Sequence, residues 1–316
     1  METVHKSVLL EEAVEGLNLK NGSVVVDATL GGGGHSIEIL KKILPGGKLI
    51  AIDRDAQAIE KFKSKIRALD IKIKPQDLIL IQSNFSELDQ ILRDNMIEKV
   101  DAILADFGLS SDQLDDKARG FSFNSESALD MRMDQRQKMT AKDIINRYSQ
   151  ESLVKIIRNL GEEKFANRVA QKIVEAREIK EIESTAELLE IISQAIPEKY
   201  KHKKIHWATK TFQAIRMEVN QELESIKEFI QVAIEKLNSE GRLAVISFHS
   251  GEDRIVKNIF KEAQVNCVCP VEFPVCRCTT RAKIKNITKK PRVASEIELK
   301  ENPRARSAKL RIVEKI

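Results

Sequence analysis

The run Val24-Val25-Val26-Asp27-Ala28-Thr29-Leu30-Gly31-Gly32-Gly33-Gly34-His35-Ser36 constrains this chain more than any other stretch of it. Three β-branched residues end in a carboxylate, four consecutive glycines follow, and then Ile37, Ile39, Leu40 and Ile43 give a helical pattern. A strand that turns through glycines into a helix brings bare backbone N–H groups against a nucleotide-like ligand. A dinucleotide fingerprint needs glycine at its first, third and sixth positions; counted from Gly31 the sixth is Ser36, so the NAD pattern fails. No Gly-Lys-Ser/Thr is present, which excludes a Walker-type phosphate cradle. Asp27, just before the loop, suits a ligand with a cationic amino-acid end, as S-adenosylmethionine has. A plain glycine turn accounts for this one loop about as well, so the other strand ends must decide.

Strand-like runs recur at 24–27, 48–52, 78–82, 100–105, 242–248 and 308–313, with helical patterns between them. Such alternation predicts an α/β fold with a mostly parallel sheet covered by helices. The first four runs fall at doubly wound spacing, and then the rhythm breaks. From about Leu114 to Arg216 only helical patterns occur. Thr140-Ala141-Lys142-Asp143 and Ser184-Thr185-Ala186-Glu187 read as N-cap boxes. Phe165, Val169 and Ile173 share one helical face, and Leu188, Ile191 and Ile192 another. Strand rhythm resumes after a long helix ending near Leu237. The expected organisation is therefore one α/β domain, residues 1–113 plus 217–316, interrupted after its fourth strand by an all-helical insertion over 114–216. Loops at the carboxyl ends of parallel strands surround the ligand crevice, so an insertion there is placed to meet the substrate.

Each remaining strand end offers a group suited to an adenosine-bearing ligand. The second ends in Asp53, at the spacing past the glycines where a carboxylate accepts from a ribose diol; Asp53 or Asp55 also serves as the cap of the next helix. The third leads to Phe85, an adenine-covering ring or an ordinary core residue. The fourth ends in Asp106-Phe107-Gly108. A carboxylate at the lip of a buried strand is costly without partners, which favours function for Asp106.

The chain has 316 residues, 42% hydrophobic and 32% charged, enough for one large domain or two modest ones. No apolar run approaches a membrane span, and the polar start Met-Glu-Thr-Val-His-Lys-Ser carries no signal-peptide core, so the cytoplasm is expected. The net charge of +5 is unevenly spread: residues 277–316 hold thirteen Lys and Arg against four Asp and Glu. A polyanion-binding edge has that composition, and so does a solvated basic tail.

Longer motifs then come into view: Gly33-Gly34-His35-Ser36, Asp106-Phe-Gly-Leu-Ser-Ser-Asp-Gln113-Leu-Asp115, Arg119-Gly-Phe-Ser-Phe123 and Leu129-Asp-Met-Arg-Met-Asp134. Further along stand Gly161-Glu-Glu, Thr211-Phe-Gln-Ala-Ile-Arg216-Met-Glu-Val-Asn220, Gly241-Arg-Leu-Ala-Val-Ile-Ser-Phe-His249-Ser250 and Asn302-Pro-Arg-Ala-Arg-Ser-Ala-Lys-Leu-Arg311. From about His5 to Glu314 the chain closely resembles the bacterial 16S ribosomal RNA (cytosine-N4) methyltransferase family of the MraW type. The resemblance implies a class I, Rossmann-like methyltransferase sheet with an inserted helical domain. It implies methylation of the N4 amine of a cytidine in the decoding region, with the small ribosomal subunit as partner; a homodimer stays open. S-adenosylmethionine contacts are implied at Gly33, Gly34, His35, Asp53, Phe85, Asp106 and Gln113. Departures from the family pattern fall at Ser7, Phe107, Trp207, Lys210 and Gly251.

Cytosine N4 is a poor nucleophile, so an acceptor for its proton helps, and Asp106 is the first catalytic candidate. His249 is the second; a Ser250 N-cap beside a partly buried His249, and an RNA contact by His249, remain open. RNA is expected to be held by charge: Lys199, Lys201, Lys203, Lys204, Lys210 and Arg216, with His202, His206 and Trp207, in the insertion, and Arg304, Arg306, Lys309 and Arg311 near the end. Two competing functions are methylation of RNA at ribose or adenine N6, and non-catalytic RNA binding in ribosome assembly. The four cysteines form two C-x-C pairs, Cys267/Cys269 and Cys276/Cys278. Their clustering fits a structural zinc, but the spacing is tighter than in a zinc knuckle; no metal ligand is assigned.

Overall fold

A computed structural model describes residues 7–69, 71–123, 127–202, 206–267, 269 and 278–316. The chain forms two compact units, Met1–Gly108 with Leu223–Ile316, and Leu109–Glu222. These breaks differ from the sequence-drawn boundaries at 113/114 and 216/217. The physical reason is continuity: the helix Thr209–Asn220 runs through 216/217, and Ser110 caps the helix Ser111–Asp115 that holds Gln113.

In the first unit the order is α1 (Leu10–Gly16), β1 (Val24–Asp27), α2 (Gly34–Ile43), β2 (Lys48–Asp53), α3 (Ala56–Arg67), β3 (Leu78–Gln82), α4 (Leu88–Asp94) and β4 (Val100–Asp106). The second unit contributes α5 (Ser111–Asp115), α6 (Ala141–Arg147), α7 (Gln150–Asn159), α8 (Ala166–Ile179), α9 (Thr185–Ala195) and α10 (Thr209–Asn220). The chain returns through α11 (Glu222–Lys236) to β5 (Leu237–Ser247), α12 (Ser250–Ala263), β6 (Ile284–Asn286), α13 (Glu296–Glu301) and β7 (Lys309–Lys315).

Among the described residues seven strands form one sheet, in the order β3-β2-β1-β4-β5-β7-β6. β1 to β5 are mutually parallel, whereas β7 runs antiparallel to both β5 and β6. This is the class I methyltransferase sheet. The six strands expected from sequence are present, with β5 beginning earlier than Arg242. β6 is an addition: its three residues, Ile-Lys-Asn, are too short to give a periodic signal.

The central strands are apolar on both faces, as a sheet covered by helices on both sides requires. Val25, Leu49 and Leu104 pack on the side of α1 and α2; Val26, Ile50 and Ile103 pack on the side of α4 and α11. Because β1 is flanked by β2 and β4, Asp27 at its end is surrounded by sheet.

The second unit has its own core, built from the expected faces: Val169, Ile173, Leu188 and Ile192 are all fully buried. Thr140 with Asp143 and Ser184 with Glu187 form reciprocal capping boxes, which satisfy helix-end N–H groups and set where α6 and α9 begin. Among the described residues no helix is long and apolar enough to cross a membrane.

Candidate active site

The carboxyl ends of β1, β2, β4 and β5 gather acidic groups at one edge of the sheet. Asp27 is buried, accepting a 2.6 Å hydrogen bond from the Ser36 hydroxyl and one from the Thr29 N–H. Burial pushes its carboxyl up to about 6, and those hydrogen bonds only partly offset the rise. Asp53 accepts from the N–H of Gly31 and of Asp55, both at 2.8 Å. Burial likewise lifts Asp53 to about 6. The cap of α3 is Asp55, through Gln57 N–H, which leaves Asp53 as a strut beneath the glycine loop.

The glycines are needed for conformation as well as space. Gly33 has φ +75°, and a Cβ there would collide with the Phe62 ring. Gly34 opens α2, and a Cβ there would meet the Ser7 hydroxyl, one of the positions that depart from the family pattern. His35 follows, buried, with Nε2 3.1 Å from the Val8 carbonyl and Nδ1 3.8 Å from Oδ2 of Asp106.

Asp106 is the least satisfied of these groups. Among the described residues its Oδ1 is sealed from solvent without a hydrogen-bond partner. Its backbone N–H is tied to the Thr29 hydroxyl, which fixes the end of β4 beside the glycine loop. Burial, then the negative charges of Asp27 and Glu252, hold its carboxyl well above the usual carboxylate range.

Glu252 is the residue that sequence reading missed. An acid in a helix's first turn is favoured by the helix dipole alone, yet Glu252 is fully buried. Its Oε2 accepts from the Phe248 N–H at 2.7 Å, and it closes a capping box with His249. The signal available was its position three residues after the cap, where a capping box places its acid. His249, not Ser250, is the N-cap: its Nδ1 accepts from the N–H of Gly251 and Glu252. That nitrogen is spent on the backbone, which gives His249 a capping role, while its Nε2 stands 3.1 Å from Oε1 of Glu252.

Phe85 lies in a short 3-10 turn after β3. Its ring meets Phe107 at 5.5 Å and Phe229 at 5.3 Å, and the Arg54 guanidinium stands 4.8 Å over it. Phe107, another departure from the family pattern, thus completes an aromatic cluster.

In the second unit, Gln113 is buried and its Oε1 accepts from the Ser110 N–H. Trp207 is half-buried, tilted against His206 at 4.6 Å, while His206 stacks on Phe123 at 4.5 Å. Lys210 donates from an exposed position to the Glu162 carbonyl. Arg216 is withdrawn from the expected basic surface: it makes a two-pronged pair with Glu222, at 2.7 and 2.8 Å. Lys203 and Lys204 lie outside the described residues. Arg304 and Arg306 are exposed on a 3-10 turn before β7, whereas Lys309 and Arg311 are engaged by Asp253.

The sequence profile of the MraW methylase family matches residues 2–316. The chain belongs to the MraW methylase family. Its relatives include the ribosomal RNA small subunit methyltransferase H of Lachnospira eligens, 48% identical over all of this chain and 99% of that protein. The protein of the same name from Clostridium botulinum strain 657 is 49% identical over the whole of both chains. That from Brevibacillus brevis is 47% identical, over 99% of this chain and 98% of its own. For a MraW-family chain, the acidic edge beneath a glycine loop is the place to seek a methyl-donor site.

Proposed function

We propose that this protein transfers a methyl group from S-adenosylmethionine to the exocyclic N4 amine of a cytidine in the decoding region of 16S ribosomal RNA. The observation that carries the reading is the buried Asp106 Oδ1, without a partner among the described residues and crowded by Asp27 and Glu252. A cationic ligand relieves both the missing partner and the crowding, and S-adenosylmethionine carries a sulfonium and an ammonium. The residues present therefore fit that cofactor, with Gly33, Gly34 and His35 supplying the close-approach loop, Asp53 the acceptor for a ribose diol, and Phe85 an aromatic wall. When bound it supplies an activated methyl group on a good leaving group.

The chain's main task is positioning. Asp27 and Glu252 keep the field at the strand ends negative, and the Thr29 hydroxyl holds Asp106 in place. The lone pair on cytosine N4 is delocalised into the ring, and the nitrogen must shed a proton as it gains a methyl group. The Asp106 side chain keeps 21% of its surface exposed, so a substrate N–H can reach the carboxylate, and accepting that bond as the nitrogen pyramidalises assists the transfer. The raised proton affinity of this carboxylate suits it to take the proton afterwards.

RNA is held by surface charge, from Arg304 and Arg306 on the first unit and from Lys210, with Trp207 as a stacking surface, on the second. The family membership, and relatives named for the small-subunit RNA, support this substrate. The test is to incubate the protein with labelled S-adenosylmethionine and small subunits lacking the modification, then map the label and identify the nucleoside by mass spectrometry. N4-methylcytidine at one decoding-region position is expected; 2′-O-methyl or N6-methyladenine product would refute the assignment.

A further inference from the structure

We propose that Cys267, Cys269 and Cys278 bind a structural zinc ion. Their three sulfurs lie within 4.8 Å of one another. The Sγ atoms of Cys267 and Cys278 are 3.8 Å apart. A disulfide needs about 2.05 Å, so the pair is not cross-linked. The separation is instead the edge of a tetrahedron with zinc–sulfur bonds of about 2.3 Å, which is about 3.8 Å.

A second observation points the same way. The backbone N–H of Cys269 is directed at Cys267 Sγ, 3.4 Å away. An N–H donor aimed at sulfur favours the thiolate, the form that binds metal. Cys276 lies outside the described residues and is not needed for this argument.

The loop is closed at its base without the cysteines. Lys283 N–H donates to the Ala263 carbonyl and Ala282 N–H to Asn266 Oδ1, joining the end of α12 to the start of β6. Beyond that neck, Cys267 is exposed and Cys269 and Cys278 are half-buried. A metal held by the three sulfurs ties Cys267 and Cys269 to Cys278 across that neck. The register places it far from the donor site: Ile284 pairs with Lys315, whereas Ser247 at the acidic edge pairs with Lys309 at the other end of β7. The ion is thus a staple for the loop that delivers edge strand β6, and it takes no part in methyl transfer.

Metal content of untagged protein, purified without chelator, tests this. The expected result is about one zinc per chain, lost in Cys267→Ser/Cys269→Ser/Cys278→Ser, with S-adenosylmethionine affinity unchanged within about twofold. Chelation should expose the 264–283 loop to protease while donor binding persists. If the triple variant does not fold, cobalt added to chelator-stripped wild type decides, through the thiolate charge-transfer and tetrahedral visible bands. Metal-free protein that gives no such cobalt spectrum overturns the proposal, as does zinc retained by the folded triple variant.

Discussion

Nδ1 of His35 stands 3.8 Å from Oδ2 of Asp106, too far for a hydrogen bond, while the other ring nitrogen lies against the Val8 carbonyl. The histidine is positioned by backbone and leaves the Asp106 carboxylate available to something else. If that something is the substrate amine, Asp106→Asn preserves shape but removes the proton acceptor. Single-turnover rates with saturating donor and unmodified small subunits should fall by on the order of 10²-fold or more, with donor affinity changed only a few-fold. Turnover at the wild-type rate would end the acceptor assignment.

Two of the buried carboxylates give the donor site a pH dependence. Asp27 and Asp53 are both lifted from 3.8 to about 6, chiefly by burial. A cation favours their ionised forms, so its binding below pH 6 must expel protons. Affinity for S-adenosylmethionine should rise from pH 5 to about pH 7 and then level off. Calorimetry in buffers of different ionisation enthalpy should show proton release near pH 6 and little at pH 8. The ligand-free protein should show the reverse trend in stability. Between 3.8 and about 6 the folded chain keeps protons that the unfolded chain has lost, so stability falls as pH rises through that window and stays lower above it. A denaturation midpoint that rises from pH 4.5 to 7 would contradict the assignment.

Gly33 and Gly34 are adjacent but should respond differently to a methyl group. Gly33→Ala must both hold φ +75° and displace the Phe62 ring in the core. Positive φ in a non-glycine residue alone costs about 1–3 kcal/mol. Gly34→Ala meets only the Ser7 side chain: the hydroxyl can turn aside, and the Ser7 Cβ, at 3.2 Å, must give by a few tenths of an ångström. Thermal melts should show a clear loss for the first variant and a small one for the second. Donor binding, read by calorimetry, should be lost in Gly33→Ala and survive in Gly34→Ala.

Those glycines were legible because strand, loop and helix are all local patterns. Asp106 was legible for a related reason, since a carboxylate ending an apolar strand breaks a strong rule. Glu252 was not, because its burial depends on β5 and α12 meeting in space, and an acid in a helix's first turn has an ordinary explanation. His249 was placed on the correct edge, but its capping role hinges on which ring nitrogen faces the backbone. Arg216 shows the limit for charge patterns: sequence counts a cation, whereas the fold pairs it six residues on with Glu222. β6 escaped because three residues cannot establish a period.

The Arg216–Glu222 pair predicts a loss of stability in the second unit. Both side chains are largely buried, at 16% and 6% exposure. Arg216→Ala leaves a buried carboxylate without its partner, and the cost should be about 3 kcal/mol. Trp207 is the sole tryptophan and sits in that unit, so its fluorescence during urea unfolding reports the change. A loss in unfolding free energy of only a few tenths of a kcal/mol would mean that the pair is effectively solvated.

The terminal cations separate into two groups that RNA binding can tell apart. Lys309 and Arg311 are held by Asp253, whose carboxyl lies below its usual range: burial opposes that, but hydrogen bonds from Arg311 and Lys309 outweigh it. Arg304 and Arg306 stand exposed. Each phosphate contact contributes roughly 0.7–0.9 to the slope of log affinity against log salt. Arg306→Ala should therefore flatten that slope for small-subunit RNA by about 0.8. Lys309→Ala should change it by less than about 0.5, because its ammonium is already engaged by Asp253. Equal effects from the two variants would place the phosphate track along β7 itself and would remove the distinction drawn from Asp253.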